Sequence, residues 1–338
     1  MLRGLPLLIA VLLAAAKAGP CDIYKAGGTP CVAAHSTVRA LFEDYARGLY
    51  QVTRASDQKK MDILPLTTYQ GFANAAAQDA FCKGTQCHIT IIYDQSGNNN
   101  HLTPAPGGAM KPQSDDPALA DQLSIMINGY KVYGVSVAPG IGYRNNNTTG
   151  VAKADQAEAM YMVADATNVN SGCCFDYGNA ETTNKADGLG TMETLYLGKC
   201  ENWTKGQGRG PWVLADLEAG LYGCGQGNVC PNPSINYRFV VAMLKGRSGG
   251  TFALKQGNAQ SGKLLTTYDG PRPKGYEVMK KQGAIVLGIG GDNSNEAVGS
   301  FFEGAIVTGN PADAVDDEIQ MDILKAGYGL SVPNHRVA

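Results

Sequence analysis

Trp212-Val213-Leu214-Ala215-Asp216-Leu217-Glu218 alternates with a period of two, the spacing of a β-strand. Val213, Ala215 and Leu217 form one purely apolar face, suited to a core. Trp212, Leu214, Asp216 and Glu218 form the other, which ends in two carboxylates two residues apart. Like charges that close repel, and one pKa rises unless something polar or cationic compensates. A strand needs no such pair for stability. A cleft that grips or cleaves sugars does, because carboxylates bind hydroxyls and act as acid, base or nucleophile. A solvated strand end with two surface acids is the competing reading.

Outward from this stretch the chain keeps reading as strands. Cys87–Tyr93 is rich in β-branched and aromatic residues, and further strands are expected over Lys131–Val137, Ala159–Ala164, Thr194–Leu197, Tyr237–Leu244, Thr251–Leu254 and Ala284–Ile289. Gly occurs 43 times and Pro 16 times without collagen-like periodicity, which suits many short strands joined by turns. The expected class is all-β, a concanavalin-like or jelly-roll β-sandwich with a few short helices. One helix is predicted from Ser36, with Leu41, Tyr45 and Leu49 at i, i+4, i+8. Another is predicted near the end, with Pro311 at its first position, Val315, Ile319 and Ile323 on one stripe, and Gly327 as its stop. Residues 104–118 read as a surface loop.

The first 18 residues have a basic start, a short apolar run from Leu5 to Ala16 and a small-x-small site. They read as a signal peptide of a secreted, extracellular protein, too short to span a bilayer comfortably. Residues 19–330 then form one domain without an internal composition break, and 331–338 a loose tail. A net charge of −2 argues against nucleic acid or an anionic membrane as partner.

Nine cysteines in a secreted chain are disulfide candidates before they are metal ligands. Cys21/Cys31 and Cys82/Cys87 bracket short loops, and Cys224/Cys230 can do the same. The odd number leaves a free thiol, with Cys200 the candidate. Cys82, Cys87 and His88 offer a zinc site on paper, but no second ligand pair accompanies them, so no metal and no cofactor is expected. The loop Asp94-Gln95-Ser96-Gly97-Asn98-Asn99-Asn100-His101 can close turns through its own side chains and reads as structural before it reads as a calcium or sugar site. Sequons begin at Asn146, Asn147 and Asn202. The first two overlap, so at most one of Asn146 and Asn147 carries a glycan.

Two stretches carry chemistry. Cys173-Cys174-Phe175-Asp176-Tyr177-Gly178-Asn179 contains adjacent cysteines, whose Cα atoms are only about 3.8 Å apart, below the usual disulfide range. Geometry alone favours separate partners, for instance Cys200. A vicinal pair would instead present a compact apolar sulfur surface to a sugar. The apolar run 284–289 leads into Gly290-Gly291-Asp292-Asn293-Ser294-Asn295, which places Asp292 at a strand-to-loop transition, with glycines that let backbone approach a ligand.

These stretches occur in one order with Gly19-Pro20-Cys21-Asp22-Ile23-Tyr24, Tyr93-Asp94-Gln95-Ser96-Gly97, Ala180-Glu181 and Gly210-Pro211-Trp212. Together, over about Gly19 to Gly329, they closely resemble the catalytic domain of the family 54 glycoside hydrolases, the α-L-arabinofuranosidase B group. The resemblance implies a β-sandwich and a retaining mechanism, with Glu218 as nucleophile and Asp292 as acid/base. It also implies a Cys173–Cys174 disulfide in the sugar pocket, with Trp203 and Gly291 lining it and Asp216 holding hydroxyls. The chain departs from the pattern at Ala219, where the family often has Asn. The family also commonly carries a C-terminal arabinose-binding β-trefoil, for which this sequence has no room.

The activity this implies is secreted exo-α-L-arabinofuranosidase action on arabinoxylan, arabinan and related plant cell-wall glycans, by a monomer. The alternatives are a relative inclined to β-xylosidase activity and a non-catalytic lectin on the same fold. A lectin would keep Trp203 and Asp216 without needing both Glu218 and Asp292.

Overall fold

The computed structural model describes residues 18–67 and 71–331. Nearly all of the signal-peptide segment and of the terminal tail lies outside them. Two antiparallel sheets carry the fold. The larger runs in the order β18 (Ser261–Pro271), β17 (Thr251–Asn258), β16 (Phe239–Arg247), β9 (Glu158–Asp165), β20 (Gly299–Thr308), β7 (Tyr130–Val137) and β6 (Leu123–Ile127), with β1 (Cys31–Ser36) also paired to β20. The smaller runs β14 (Leu221–Tyr222), β13 (Trp212–Asp216), β11 (Glu193–Gly198), β10 (Asp176–Ala180), β19 (Ala284–Leu287), β8 (Tyr143–Asn145) and β5 (Thr103–Pro104). A three-stranded sheet of β3 (Lys60–Ile63), β2 (Tyr50–Arg54) and β4 (Cys87–Ile92), and a parallel pair of β12 (Lys205–Gln207) and β15 (Val229–Pro233), flank them. The helices are α1 (Pro20–Ala26), α2 (Ala75–Phe81) and α3 (Asp313–Ala326). This is the expected β-sandwich, and the predicted strands fall on β4, β7, β9, β11, β13, β16, β17 and β19.

Period-two alternation sorts the smaller sheet into two environments. Val213, Ala215, Leu217, Leu195 and Leu197 join the main core between the sheets. Trp212, Leu214 and Tyr196 form a second cluster with Cys174, Cys200 and Leu221. Both sides of β13 are therefore buried, and the second cluster is the floor on which the functional groups stand. The two main sheets are also tied by charge. Lys281 Nζ lies 2.8 Å from Glu193 Oε2 on β11 and 3.1 Å from Glu158 Oε1 on β9, with all three side chains at 0% exposure. Arg272 completes the group at 2.8 Å from Glu193. Gly246 makes room for it, since a Cβ there would meet Glu193 Oε2 at 2.0 Å.

The predicted helix from Ser36 is not formed. Ser36 belongs to β1, and its hydroxyl accepts from the Val38 and Arg39 amides. Leu41 and Leu49 are buried, but the backbone between them bonds sideways, as from Ala40 N to Gly71 O and from Leu41 N to Gln95 Oε1. Apolar spacing alone satisfied the helix period there, and tertiary partners took the hydrogen bonds. The final helix does form, and Gly327 ends it at φ 76°. Pro311 sits one residue outside its Ala312 cap rather than at the first helical position. The Asp94 loop is structural: the Asp94 carboxylate accepts from Ala34 N, Ser96 N and Asn100 N.

Candidate active site

β13 ends at Asp216, and the chain reverses through Leu217-Glu218-Ala219-Gly220 into β14. Glu218 therefore lies in the turn and not on the strand. Glu218 and Ala219 both have positive φ, 63° and 56°, as the central residues of a type I′ hairpin turn do. L-residues pay about 1–2 kcal/mol each for that conformation, and such strain is commonly held at functional sites. The turn still puts the two acids side by side, with Glu218 N donating to Asp216 Oδ1 at 3.0 Å. Tyr276 fixes the turn from behind by donating to the Glu218 carbonyl at 2.7 Å.

The other functional segments converge on this turn. Cys173 and Cys174 are bonded to each other through a cis peptide, against the separate pairing that geometry alone favoured. Cys174 Sγ lies 3.4 Å from Asp216 Oδ2. The loop after β19 packs on this pair, with Cys174 N and Gly290 N both donating to the Ser294 carbonyl. Asp292 is half-buried, and its Oδ1 accepts from Ser294 N at 3.0 Å and from the Ser294 hydroxyl. Residues 107–115 brace the loop, with Met110 N donating to the Asp292 carbonyl. Trp203 is exposed and lines a neighbouring cleft of about 260 Å³ with Tyr222. Tyr222 connects that cleft to the acids, because its hydroxyl meets that of Tyr276 at 3.3 Å. The remaining disulfides are Cys21–Cys31, Cys82–Cys87 and Cys224–Cys230, and Cys200 is a buried free thiol.

Three functional groups were not picked out from the sequence. Asp176 on β10 faces Asp216, Glu181 follows the same strand, and Arg144 on β8 sits close to both Glu181 and Asp292. Their only signal was the placement of Asp176 and Glu181 at the two ends of an otherwise uncharged run. The site thus gathers five carboxyl groups, Asp176, Glu181, Asp216, Glu218 and Asp292, around one guanidinium. Each hydrogen bond that Arg144 makes goes to a neutral oxygen: the carbonyls of Gly291 and Glu181, and Asn146 Oδ1. Burial draws its pKa down to about 10, against the pull of Glu181, Asp292 and Glu218.

With so little compensation, Asp176, Asp216 and Glu218 are displaced toward their protonated forms. Burial, a hydrogen bond with Glu181 and the charges of Glu181, Asp216 and Asp292 push Glu218 up to about 10. Burial and the neighbouring acids push Asp216 up to about 7, although the Glu218 amide opposes this. Burial beside Asp216 pushes Asp176 well above the usual carboxylate range. Cys173, Cys174 and Asp216 bring ligand-type atoms within 4.8 Å of one another. Both sulfurs are in the disulfide, so one carboxylate remains, which is not a metal site.

A strained turn presents one acid beside a second, with a third on the opposite loop and the Cys173–Cys174 disulfide against them, which makes this a carboxyl-rich site on a β-sandwich. The chain belongs to the family described as "Alpha-L-arabinofuranosidase B, catalytic", which matches residues 20–329. It is 55% identical over 321 residues to the "Alpha-L-arabinofuranosidase" of Hypocrea jecorina and 54% identical over 321 residues to the "Arabinofuranosidase/B-xylosidase" of Trichoderma koningii. Each match covers 93% of this chain and 64% of the relative. A crystal structure of an arabinofuranosidase complexed with arabinofuranosyl-α-1,2-xylobiose superposes with a TM-score of 0.90 at 50% identity, over 92% of this chain and 66% of that one. A GH54 α-L-arabinofuranosidase soaked with a cyclic sulfate inhibitor gives 0.89 at 50% identity, with the same coverages.

Proposed function

We propose that this chain is a retaining exo-α-L-arabinofuranosidase that releases terminal arabinofuranosyl groups from arabinoxylan, arabinan and related plant cell-wall oligosaccharides. The observation that carries the reading is the convergence of Glu218 and Asp292 on one site beside the Cys173–Cys174 disulfide. Glu218 attacks the anomeric carbon and forms a glycosyl-enzyme. Asp292 protonates the leaving oxygen and then activates water for the second step. Asp216 holds sugar hydroxyls, the disulfide and Gly291 wall the pocket, and Trp203 borders it. Release of nitrophenol from an aryl α-L-arabinofuranoside tests the reading, and loss of that release in Glu218→Gln tests the assignment. No turnover by the intact protein would favour a lectin.

A second reading is additional β-xylosidase activity, which the double name of the Trichoderma koningii relative favours. An aryl β-xyloside assayed in parallel separates the two. We further propose a secreted monomer whose first 18 residues act as a signal peptide, with glycans at Asn147 and Asn202. Asn147 and Asn202 are exposed. The Asn146 amide is half-buried and engaged on both atoms, by Arg144 Nε at 2.6 Å and Asn184 Oδ1 at 2.7 Å.

A further inference from the structure

The loop folded by Asp94 borders a second cleft, of about 440 Å³, between β3, the end of β4 and the chain before β2. Its volume is in the range of small-ligand sites. Tyr45, Arg47, Asp62, Tyr93, Asn99 and His101 line it, and none of them belongs to the acid cluster. Both tyrosines are half-buried and are held from Gly48. The Tyr45 hydroxyl donates to the Gly48 carbonyl at 2.7 Å, and the Tyr93 ring packs where a Cβ on Gly48 would meet it at 2.9 Å. The Tyr93 hydroxyl donates to Asp62 Oδ1 at 2.8 Å. Gln51 Nε2 donates to the same Asp62 oxygen at 2.9 Å and to the Tyr93 hydroxyl at 3.1 Å. The His101 ring stands edge-to-face with Tyr93, their centroids 5.0 Å apart.

That network leaves polar groups over. Asp62 Oδ2, the Arg47 guanidinium and the Asn99 amide have no hydrogen bond or ion pair among the described residues. His101 Nδ1 accepts from the Asp94 amide at 2.9 Å, so the neutral ring carries its proton on Nε2 and offers it as a donor. Burial lowers the His101 pKa, against the pull of Asp94, and favours that neutral form. One free carboxylate and one guanidinium balance, so the cleft selects neither an anion nor a cation. Aromatic bodies with fixed polar groups at their edges suit a neutral, polyhydroxylated ligand.

We propose that this cleft is a second carbohydrate site, which holds the backbone of a neutral pentose polymer while the acid cluster acts on a side group. The choice of a pentose polymer rests on the proposed function; the fit to a neutral sugar does not. Asp62 accepts from sugar hydroxyls, Arg47 and His101 donate to sugar oxygens, and the tyrosines cover an apolar ring face. The two sites adjoin through β8. Asn145 Nδ2 donates to the His101 carbonyl at 2.9 Å, and the preceding residue, Arg144, sits among the acids and donates to the Gly291 carbonyl. A polymer that engages both sites keeps its side groups at high effective concentration beside the catalytic carboxyls.

The test is hydrogen–deuterium exchange of the Glu218→Gln chain, read by mass spectrometry with unbranched xylohexaose and with linear arabinohexaose in separate runs. Peptides covering 45–51 and 93–101 should gain protection with at least one of them, and the sugar that protects them identifies the backbone recognised. Protection confined to the acid cluster, or none with either sugar, overturns the proposal. In native gels containing soluble arabinoxylan, Tyr45→Ala and Arg47→Ala should each weaken retardation of the Glu218→Gln chain by about fivefold or more in apparent Kd. Values within about twofold of the parent chain in both overturn the proposal as well. Arg47 is exposed and bonded to nothing among the described residues, so its variant keeps the test open if Tyr45→Ala does not fold. Protection at 45–51 and 93–101, with no release of nitrophenol from an aryl α-L-arabinofuranoside by the intact protein, would sink the activity assignment and leave the second site standing. Turnover without that protection would sink the second site alone.

Discussion

Lys281→Met should be among the most damaging single changes away from the site. Lys281 Nζ bonds Glu193 and the Gln156 carbonyl and pairs with Glu158, all within 3.1 Å. Its removal leaves two glutamates fully buried between the sheets with only Arg272 Nη2 on Glu193 and Asn179 Nδ2 on Glu158. Breaking a buried pair by removing one partner costs about 3–5 kcal/mol. At about 2 °C per kcal/mol for a domain of this length, Tm should fall by about 6–10 °C. The pH dependence sharpens the test. Burial, opposed by Lys281, already pushes Glu158 up to about 7. A buried acid with a raised pKa binds its proton more tightly in the folded chain than in the unfolded one. Its contribution is full below the unfolded value near 4.5 and is lost as pH rises through 7, an effect of about 3 kcal/mol. Burial opposes but Lys281 and Arg272 hold Glu193 down, so that group contributes in the opposite direction and is lost on acidification. Without Lys281 both acids should favour low pH, and the variant should lose stability more steeply than the wild type between pH 5 and 8. Thermal and urea unfolding across that range give the answer. A loss under about 1 kcal/mol with an unchanged pH profile would refute the reasoning.

Three further outcomes are expected. Gly291→Ala would place a Cβ 1.9 Å from Glu181 Oε2 and 3.1 Å from Met192 Sδ, forcing Glu181 into the acid cluster. Displacements near 1 Å can cost about 10²-fold in rate, so kcat/KM should fall by that order while the circular dichroism spectrum is kept. Ala219→Asn puts a residue that tolerates positive φ at an exposed left-handed position and should raise stability by about 0.5–1 kcal/mol, read as an increase in the urea midpoint. Glycopeptide mapping of protein expressed in a glycosylating host should find Asn147 and Asn202 occupied, with Asn147→Gln, not Asn146→Gln, removing the first glycan.

The alternation in Trp212–Glu218 carried most of what the sequence could say about the fold, because a period of two is a direct consequence of strand geometry and survives burial on both faces. The stripe Val315, Ile319 and Ile323 was legible for the same reason, and all but Val315 are buried under α3. The stripe Leu41, Tyr45 and Leu49 misled because three apolar residues can be buried by a loop as well as by a helix. β20 was overlooked since Gly299, Glu303 and Gly304 break its apolar run. Those residues make sense only in three dimensions. Arg39 forms a two-pronged bond to Glu303 from 264 positions away, and a Cβ at Gly304 would strike the Tyr177 ring at 2.6 Å. In the site, Asp216, Glu218 and Asp292 were readable from motifs. Glu181, Asp176 and Arg144 were not, because their roles arise from which strands pair, and no local pattern encodes that. The left-handed turn at Glu218 was likewise hidden, since neither Glu nor Ala signals positive φ.

The central claim is that Glu218 becomes covalently bound to the sugar and Asp292 serves both steps. The most direct measurement is ¹H NMR of the first-formed arabinose during hydrolysis of an aryl α-L-arabinofuranoside, recorded before mutarotation. Two displacements at the anomeric carbon predict that the α anomer appears first and the β anomer grows in later. Initial release of the β anomer would mean a single displacement by water and would contradict the account.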